Sequence, residues 1–302
     1  MSSLINQSSG DPALDRRLEW ARSYLEAGEA EAAAGMLADL AAEASHFTPA
    51  WFLLAEAREA MGDAAGAAEA YGAVLARDPD DRMGAGVRLA RLGARRAEGA
   101  MSPAFVRTLF DQYAPRFDTA LRDGLSYRGP ELLRAAVGTP ARVGRLIDLG
   151  CGTGLAAPLF ADLADEMVGV DLSPAMVRAA EALSLYAALH VAEMGAFLAA
   201  EGDASAGLII AADALCYVDD LSAIFSAARR VLAPGGGLAF TVETHDGPGL
   251  ILRDTLRYAH GAPMVSAALE AAGFHIRHLE AASTRTEKGV PVPGLVCVAV
   301  RD

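Results

Sequence analysis

The sequence predicts an α/β fold, a doubly wound and mostly parallel seven-stranded sheet, preceded by a smaller all-α domain. Three observations carry this: short apolar runs alternate with helical stretches from Val143 onward, a loop with glycine at three alternating positions follows the first run, and a 34-residue self-similarity lies near the start. Strands alternating with helices give a parallel sheet covered on both faces. A fixed period of this length marks stacked helical repeats. At 302 residues the chain has room for two separate cores.

The repeats come first along the chain. Gly28 and Gly62 are 34 residues apart, and the same shift maps Trp20 onto Leu54, Ala21 onto Ala55, Ala33 onto Ala67 and Leu37 onto Tyr71. That is the tetratricopeptide (TPR) period. Trp51, Leu54, Ala55, Gly62, Ala67, Tyr71 and Pro79 sit where such a repeat places its large, small, turn and terminating residues, so this second copy resembles the family. The first copy, from about Arg17 to Ser45, lacks the terminal proline, and Pro49 instead opens the next helix. A further helix from about Arg82 to Arg96 is expected to cover the last pair, since a repeat cannot bury its apolar side alone. Its Arg88, Arg91, Arg95 and Arg96 form either a basic binding stripe or, more commonly for such a run, a solvated helix face. The expected organisation is a repeat domain over 1–98, a linker at 99–103 and a second domain over 104–302.

In the second domain, Phe105, Leu109, Tyr113 and Phe117 have helical spacing, followed by Tyr127 and a helix beginning near Pro130. Strands are expected at Arg145 to Asp148, Met167 to Asp171, Leu189 to Ala192, Leu208 to Ala212, Leu238 to Glu243, His275 to Glu280 and Leu295 to Val300. Ligands of such sheets bind at the carboxyl ends of the strands, near the switch in strand order.

Composition narrows the function classes. No stretch approaches the roughly 18 apolar residues of a membrane span. The polar opening from Met1 to Asp15 lacks the features of a secretory signal, which points to the cytoplasm. Cys151, Cys216 and Cys297 lie too far apart for a zinc or redox motif, so no metal site is expected. A formal net charge of -13 repels a phosphate backbone at long range, which favours a small molecule or a protein over nucleic acid as partner.

The chemistry concentrates where the first strand ends, in Leu146-Ile147-Asp148-Leu149-Gly150-Cys151-Gly152-Thr153-Gly154. Glycine at alternating positions lets the backbone turn tightly and approach a ligand closely. The second strand ends in Asp171, 21 residues after Gly150, where a carboxylate accepts hydrogen bonds from ribose hydroxyls. Loop and acid together imply a nucleoside ligand. A dinucleotide site usually has G-x-G-x-x-G and holds a pyrophosphate against a helix N-terminus. Here the spacing is G-x-G-x-G, and Asp148 would sit against that dianion, whereas it suits a ligand with an ammonium group. These two features weigh against a nicotinamide-dependent oxidoreductase.

Asp148 to Gly154 thus resembles motif I of the Rossmann-like class I S-adenosylmethionine (SAM)-dependent methyltransferases, and Asp171 resembles their ribose-binding acid. The resemblance runs from about Met101 to Arg301. It implies SAM as cofactor and S-adenosylhomocysteine as product, with Asp148, Leu149, Gly150, Cys151, Gly152, Gly154, Asp171, Leu172 and Met176 among the cofactor contacts. Ala192-Glu193-Met194 falls where the family sets an acid and a backbone N–H against the adenine; Glu193 replaces the commoner aspartate. Asp213 ends the fourth strand, and Leu232 to Gly237 resembles the family's turn into the fifth. Phe110 to Asp118 resembles the cofactor-covering helix of the ubiquinone-biosynthesis type, and with Tyr127-Arg128 the chain looks most like bacterial methyltransferases that carry TPR repeats. That implies Tyr113, Tyr127 and Arg128 closing over the methionine end.

The fourth strand runs into Asp213-Ala214-Leu215-Cys216-Tyr217 and not into the Asn/Asp-Pro-Pro-aromatic motif of enzymes that methylate planar nitrogens of nucleic acids and glutamine. A small-molecule acceptor is favoured. Methyl transfer places most of the chemistry in the cofactor and leaves positioning and desolvation to the protein. A hydroxyl acceptor would need a base, for which His260, His245 and Glu243 are the candidates by position, whereas a thiolate or enolate needs none. His46, His190, His275 and His278 read as structural. The alternative is that the repeats recruit a protein that is itself the acceptor or a regulator, or mediate a homodimer.

Overall fold

The computed structural model of the chain describes residues 8–139 and 142–302. Part of the polar opening segment, residues 1–7, lies outside them. Contacts divide the chain into two units between Leu109 and Phe110, later than the expected linker, whose Ala100 is buried and whose Ser102 Oγ donates to Asp81 O at 3.0 Å.

The first unit is helical: α1 (Pro12–Glu26), α2 (Ala30–Glu43), α3 (Thr48–Ala60), α4 (Ala64–Arg77) and α5 (Ala85–Arg91), each packed on the next. Asp11 and Asp63 cap α1 and α4 by accepting Ala13 N and Gly66 N. Gly28 and Gly62, at φ +81 and +78, make the same left-handed turn at the same place in both hairpins. The period reaches the core, because Ala21, Ala55, Ala33, Ala67, Leu37 and Tyr71 are all buried. Trp20 breaks it. Leu54 packs in the core at 2% exposure, whereas Trp20 on the terminal helix is 59% exposed.

The closing helix is shorter than expected. Asp81 accepts Ala85 N and Gly86 N, which fixes its start, and Gly93 at φ +73 stops it. The arginines form no stripe. Arg88 is buried over the Phe52 ring and 3.8 Å from Glu56, Arg91 pairs with Glu59, and Arg96 meets Glu98 on the surface. Facing α3, Arg88 and Arg91 thus tie this helix down.

Helix α6 (Pro103–Tyr113) leads into the second unit through a 3-10 turn at Ala114–Arg116, a short α7 (Phe117–Thr119) and a π turn at Ala120–Gly124, then α8 (Gly129–Val137). Strands β1 (Val143–Leu149), β2 (Ala164–Asp171), β3 (Ala188–Val191), β4 (Ala206–Ala211), β5 (Leu232–Glu243), β6 (Leu250–Leu252), β7 (Tyr258–His260), β8 (Phe274–Ala281) and β11 (Gly294–Arg301) form one sheet. β9 (Thr286–Glu287) and β10 (Val290–Pro291) make a separate hairpin. Along the main path the order is β3-β2-β1-β4-β5-β11-β8, with β11 antiparallel to both neighbours. All the strands expected from sequence lie on this path; β6 and β7 extend the sheet from seven strands to nine. The expected turn at Leu232 to Gly237 lies inside β5 as an irregularity, where Ala206 pairs Leu232 but Leu208 already pairs Gly237.

Helices α9 (Ala157–Phe160), α10 (Pro174–Glu181), α11 (Met194–Ala200), α12 (Leu221–Val231) and α13 (Ala262–Ala271) complete the unit. Along β1 the side chains alternate: Ile147 and Leu149 enter the core under α11, α12 and α13, Leu146 that under α8 and α9. Among the described residues no helix is long and apolar enough to cross a membrane. The three cysteines are free and buried.

Candidate functional site

The order reverses between β1 and β4, and the loop after β1 lies at that switch. Gly150, Gly152 and Gly154 have φ of +69, +55 and +87, a region L side chains avoid. A Cβ on Gly150 would also overlap Ala214, where the chain leaves β4. Gly150 N and Cys151 N both donate to Val170 O, and Gly152 N donates to Asp171 Oδ2 at 2.9 Å. Asp171 Oδ1 accepts Ser173 N at 2.8 Å. The acid at the end of β2 thus shapes the loop at the end of β1.

Asp148 is 1% exposed, and Tyr186 donates its hydroxyl to Oδ2 at 2.6 Å. Burial pushes its pKa up to about 7, against the lowering by that hydrogen bond and with a smaller push from the charge of Asp171. Burial also raises Asp171, opposed by its backbone N–H donors, and the nearby Asp111 adds to the rise. Two desolvated carboxyls therefore flank the backbone of the glycine loop.

Glu193 caps α11, its Oε2 accepting Ala196 N at 2.7 Å, and Met194 and Leu172 are half-buried beside their strands. Leu149 and Met176 have no exposed surface. Their side chains belong to the core, which leaves their backbone atoms for any contact with a ligand.

The segment from Phe110 to Arg128 is fastened over the loop at several points. Asp111 Oδ1 accepts Ser173 Oγ at 2.6 Å and Ala175 N at 3.1 Å, and Asp118 Oδ1 accepts Thr153 Oγ1 at 2.6 Å. Phe117 lies closest to the position of a Cβ on Gly152 and packs edge-on against Phe110 and Tyr113; Phe110 packs in turn against Tyr217. Tyr113 also faces the Arg116 guanidinium. The Tyr127 phenol is held well above its ordinary pKa by burial and, less, by the charges of Asp213, Cys216 and Asp148. Arg128 N and Nε donate to Thr284 O and Ser283 O.

Past β4, Asp213 adopts φ +52; Thr241 Oγ1 donates to Oδ1 at 2.5 Å and Thr284 Oγ1 to Oδ2 at 2.7 Å. At the end of β5, Glu243 is buried among three guanidinium groups. Arg285 Nη2 donates to it at 2.6 Å, with Arg253 at 3.2 Å and Arg257 at 3.7 Å. The carboxylate is thus compensated as an ion-pair partner.

The two histidines are also occupied. His260 has no exposed surface, its Nε2 lies 2.9 Å from Val218 O, and burial pushes its pKa down to about 4. His245 Nδ1 accepts Gly247 N at 3.0 Å, which leaves Nε2 to carry the hydrogen donated to Gly249 O at 2.8 Å. Each of the three candidate bases thus has a protein partner, as ion pair, core and turn, while Glu243 Oε2 and His260 Nδ1 are buried without a hydrogen bond among the described residues. Tyr186, Asp111, Asp118, Thr153 and Tyr217 escaped sequence reasoning, as did the arginines around Glu243. Asp111, Asp118, Thr153 and Tyr217 stand inside motifs legible in the sequence, whereas Tyr186 does not.

Residues 147–240 match the family model described as a methyltransferase domain. Over 97 residues the chain is 34% identical to a ubiquinone biosynthesis O-methyltransferase of Xanthomonas oryzae pv. oryzae, an alignment covering 31% of this chain and 41% of that relative. The chain therefore spans well under half the length of the curated relatives it matches. Among solved structures, a 1,6-didemethyltoxoflavin-N1-methyltransferase from Burkholderia thailandensis with bound S-adenosylhomocysteine aligns with a TM-score of 0.52 at 20% identity, over 66% of this chain and 88% of that one. The cyclase SpnF aligns with a TM-score of 0.52 at 19% identity, over 65% and 94%. These likenesses establish the fold, and a fold shared by a methyltransferase and a cyclase leaves the reaction to be argued from the site.

Proposed function

We propose that the chain is a SAM-dependent methyltransferase acting on a small molecule. The observation that carries this is Asp148, a buried carboxyl with one hydroxyl partner among the described residues, at the strand end that opens into three left-handed glycines. Such a carboxyl is short of positive charge, and the ammonium of a methionine moiety supplies it, whereas a pyrophosphate would be repelled. The match of residues 147–240 to a methyltransferase domain and the methyl-transfer names of the relatives support the same reading.

When bound, SAM supplies a methyl carbon activated by its sulfonium. The chain's own contribution is positioning. Asp171 and the N–H groups of the glycine loop hold the ribose side, Asp148 the ammonium, and Glu193 and Met194 border the adenine side. Tyr113, Phe117 and Tyr127 exclude water from above. Asp213, fixed by Thr241 and Thr284, borders the acceptor. We assign no base to His260, His245 or Glu243.

The helical unit is proposed as a TPR-type pair of repeats that engages a protein partner or a second copy, and the protein as cytoplasmic. Isothermal titration with S-adenosylhomocysteine tests the central reading. Binding in the micromolar range, lost in Asp171→Ala and absent for NAD, is expected; heat with NAD and none with S-adenosylhomocysteine would overturn it.

A further inference from the structure

Helix α1 carries the outer face of a helix that has a neighbour. Shifted by 34 residues, its Ala13, Arg16, Trp20 and Ser23 fall on Phe47, at the cap of α3, and on Ala50, Leu54 and Ala57 within it. The four residues of the second copy are buried, and the four of α1 are exposed. Helix α3 packs between α2 before it and α4 after it, whereas α1 has described neighbours only after it in the chain, α2 and α3. The positions that differ are therefore those a preceding helix covers. The end of a repeat array is ordinarily polar on that side. Here it presents the Trp20 indole, 59% exposed, with Tyr24 one turn on at 38%.

The charges of α1 divide in the same way. Asp15 accepts the Ser8 and Ser9 hydroxyls, Arg17 pairs with Glu43, and Arg22 pairs with Glu19 at 2.9 Å. Arg16 and Glu26 are exposed and have no ion pair among the described residues. On a helix that turns about 100° per residue, Arg16 lies about 40° and Glu26 about 120° from Trp20 in the same rotational sense. One flank of the indole thus holds a cation toward one end of the helix and an anion toward the other.

We propose that α1 is the contact helix of a twofold homodimer, with the α1 helices of two copies antiparallel across Trp20. A twofold axis through such a pair brings like flanks together. At about 1.5 Å per residue, Arg16 lies about 6 Å from the axis and the partner's Glu26 about 9 Å from it on the same side, within reach of two long side chains, and the pair occurs twice. Ala13 faces the partner's Ala27, so small residues let the helix ends approach. A parallel pair would set Arg16 level with the partner's Arg16 and Glu26 level with the partner's Glu26. The face is thus complementary to itself in one orientation, which selects a second copy as occupant. The inference rests on reading the helical unit as a repeat pair that engages a partner, and it is independent of the methyl-transfer reading.

Sedimentation equilibrium of the full chain from about 1 to 100 μM tests it. A species of twice the 31.3 kDa chain mass is expected. Trp20→Glu, at an exposed position, is expected to leave the circular dichroism and thermal unfolding of the monomer unchanged and to weaken the dimer at least about a hundredfold. Arg16→Glu is expected to weaken it about tenfold, and adding Glu26→Arg to that variant to restore the affinity to within about threefold of the wild type. A wild-type chain that is monomeric at about 100 μM overturns this inference together with any engagement of a second copy by the helical unit. A dimer that survives Trp20→Glu, or a charge exchange that restores nothing, overturns this inference alone.

Discussion

Tyr186 donates its hydroxyl to Asp148 Oδ2 at 2.6 Å, so a residue just before β3 stabilises the carboxylate form of an acid at the end of β1. Burial outweighs it. The pKa of Asp148 rises from 3.8 to about 7, so the folded chain keeps a proton there that the unfolded chain has released. The associated stability is complete below about pH 4 and is lost as pH rises through 7, roughly 4 kcal/mol in all. Asp148→Asn lacks this dependence. Urea unfolding from about pH 5 to pH 8 should show the variant gaining on the wild type as pH rises. S-adenosylhomocysteine, bringing an ammonium, should bind the wild type more tightly at pH 8 than at pH 6 and the variant weakly at both. A pH-independent stability difference would mean that Asp148 is hydrated.

The bond from Thr153 Oγ1 to Asp118 Oδ1 fastens the covering segment to the glycine loop. Thr153→Val keeps the volume of this buried side chain and removes the donor. Release of the ligand requires the cover to lift, so S-adenosylhomocysteine should dissociate about fivefold faster by stopped flow. The association rate should change little. Equal dissociation rates would show that this bond does not gate the site.

His260 is a second pH probe, of opposite sign. Its pKa falls from 6.5 to about 4 in the folded state, so stability is complete above about pH 6.5 and is lost as pH falls toward 4. His260→Gln keeps a donor for Val218 O and removes the titration. Its acid unfolding curve should be flatter than that of the wild type between those limits. Binding of S-adenosylhomocysteine at pH 7.5 should be unchanged, and a large loss there would return His260 to the site.

These residues show what the sequence could and could not reveal. The strands of the main path were legible because each is a short apolar run between turn signals, and β1 alternates Leu146, Ile147, Asp148 and Leu149 between two cores. The glycine loop and Asp171 were legible because backbone geometry demands them at fixed spacing. Trp20 is in register with Leu54 yet lies exposed, because periodicity reports which face a residue occupies, not whether a neighbouring helix covers it. The burial of Glu243 and His260 was not legible for a related reason: placement at the end of a strand does not tell whether a side chain points to ligand or to protein. The pairing of Arg285 with Glu243 carried no local signal, since the two lie 42 residues apart and only the closed sheet brings them together.

That pair supports the sharpest separation between an acid–base and a structural role. Glu243 and Arg285 have side chains 4% and 2% exposed and meet at 2.6 Å. Breaking a buried pair leaves an uncompensated charge at a cost of about 3–5 kcal/mol. Arg285→Met, which removes the short bonds to Glu243 and Glu287 and weakens the hold on Asp213 while Arg253 and Arg257 remain beside Glu243, should fall at the low end of that range, about 3 kcal/mol. Glu243→Gln keeps an acceptor oxygen and should cost less, about 2 kcal/mol. Because the two residues share one contact, the double variant should cost at least about 1 kcal/mol less than the two single losses added together. A general base behaves differently: its amide variant leaves stability untouched and removes a factor of about 100 to 10,000 from turnover. Urea unfolding of the two single variants and the double variant decides between them. An undiminished stability in Glu243→Gln would restore the carboxylate to the chemistry, whereas coupled losses fix it as the post on which the Arg253, Arg257 and Arg285 side chains are set.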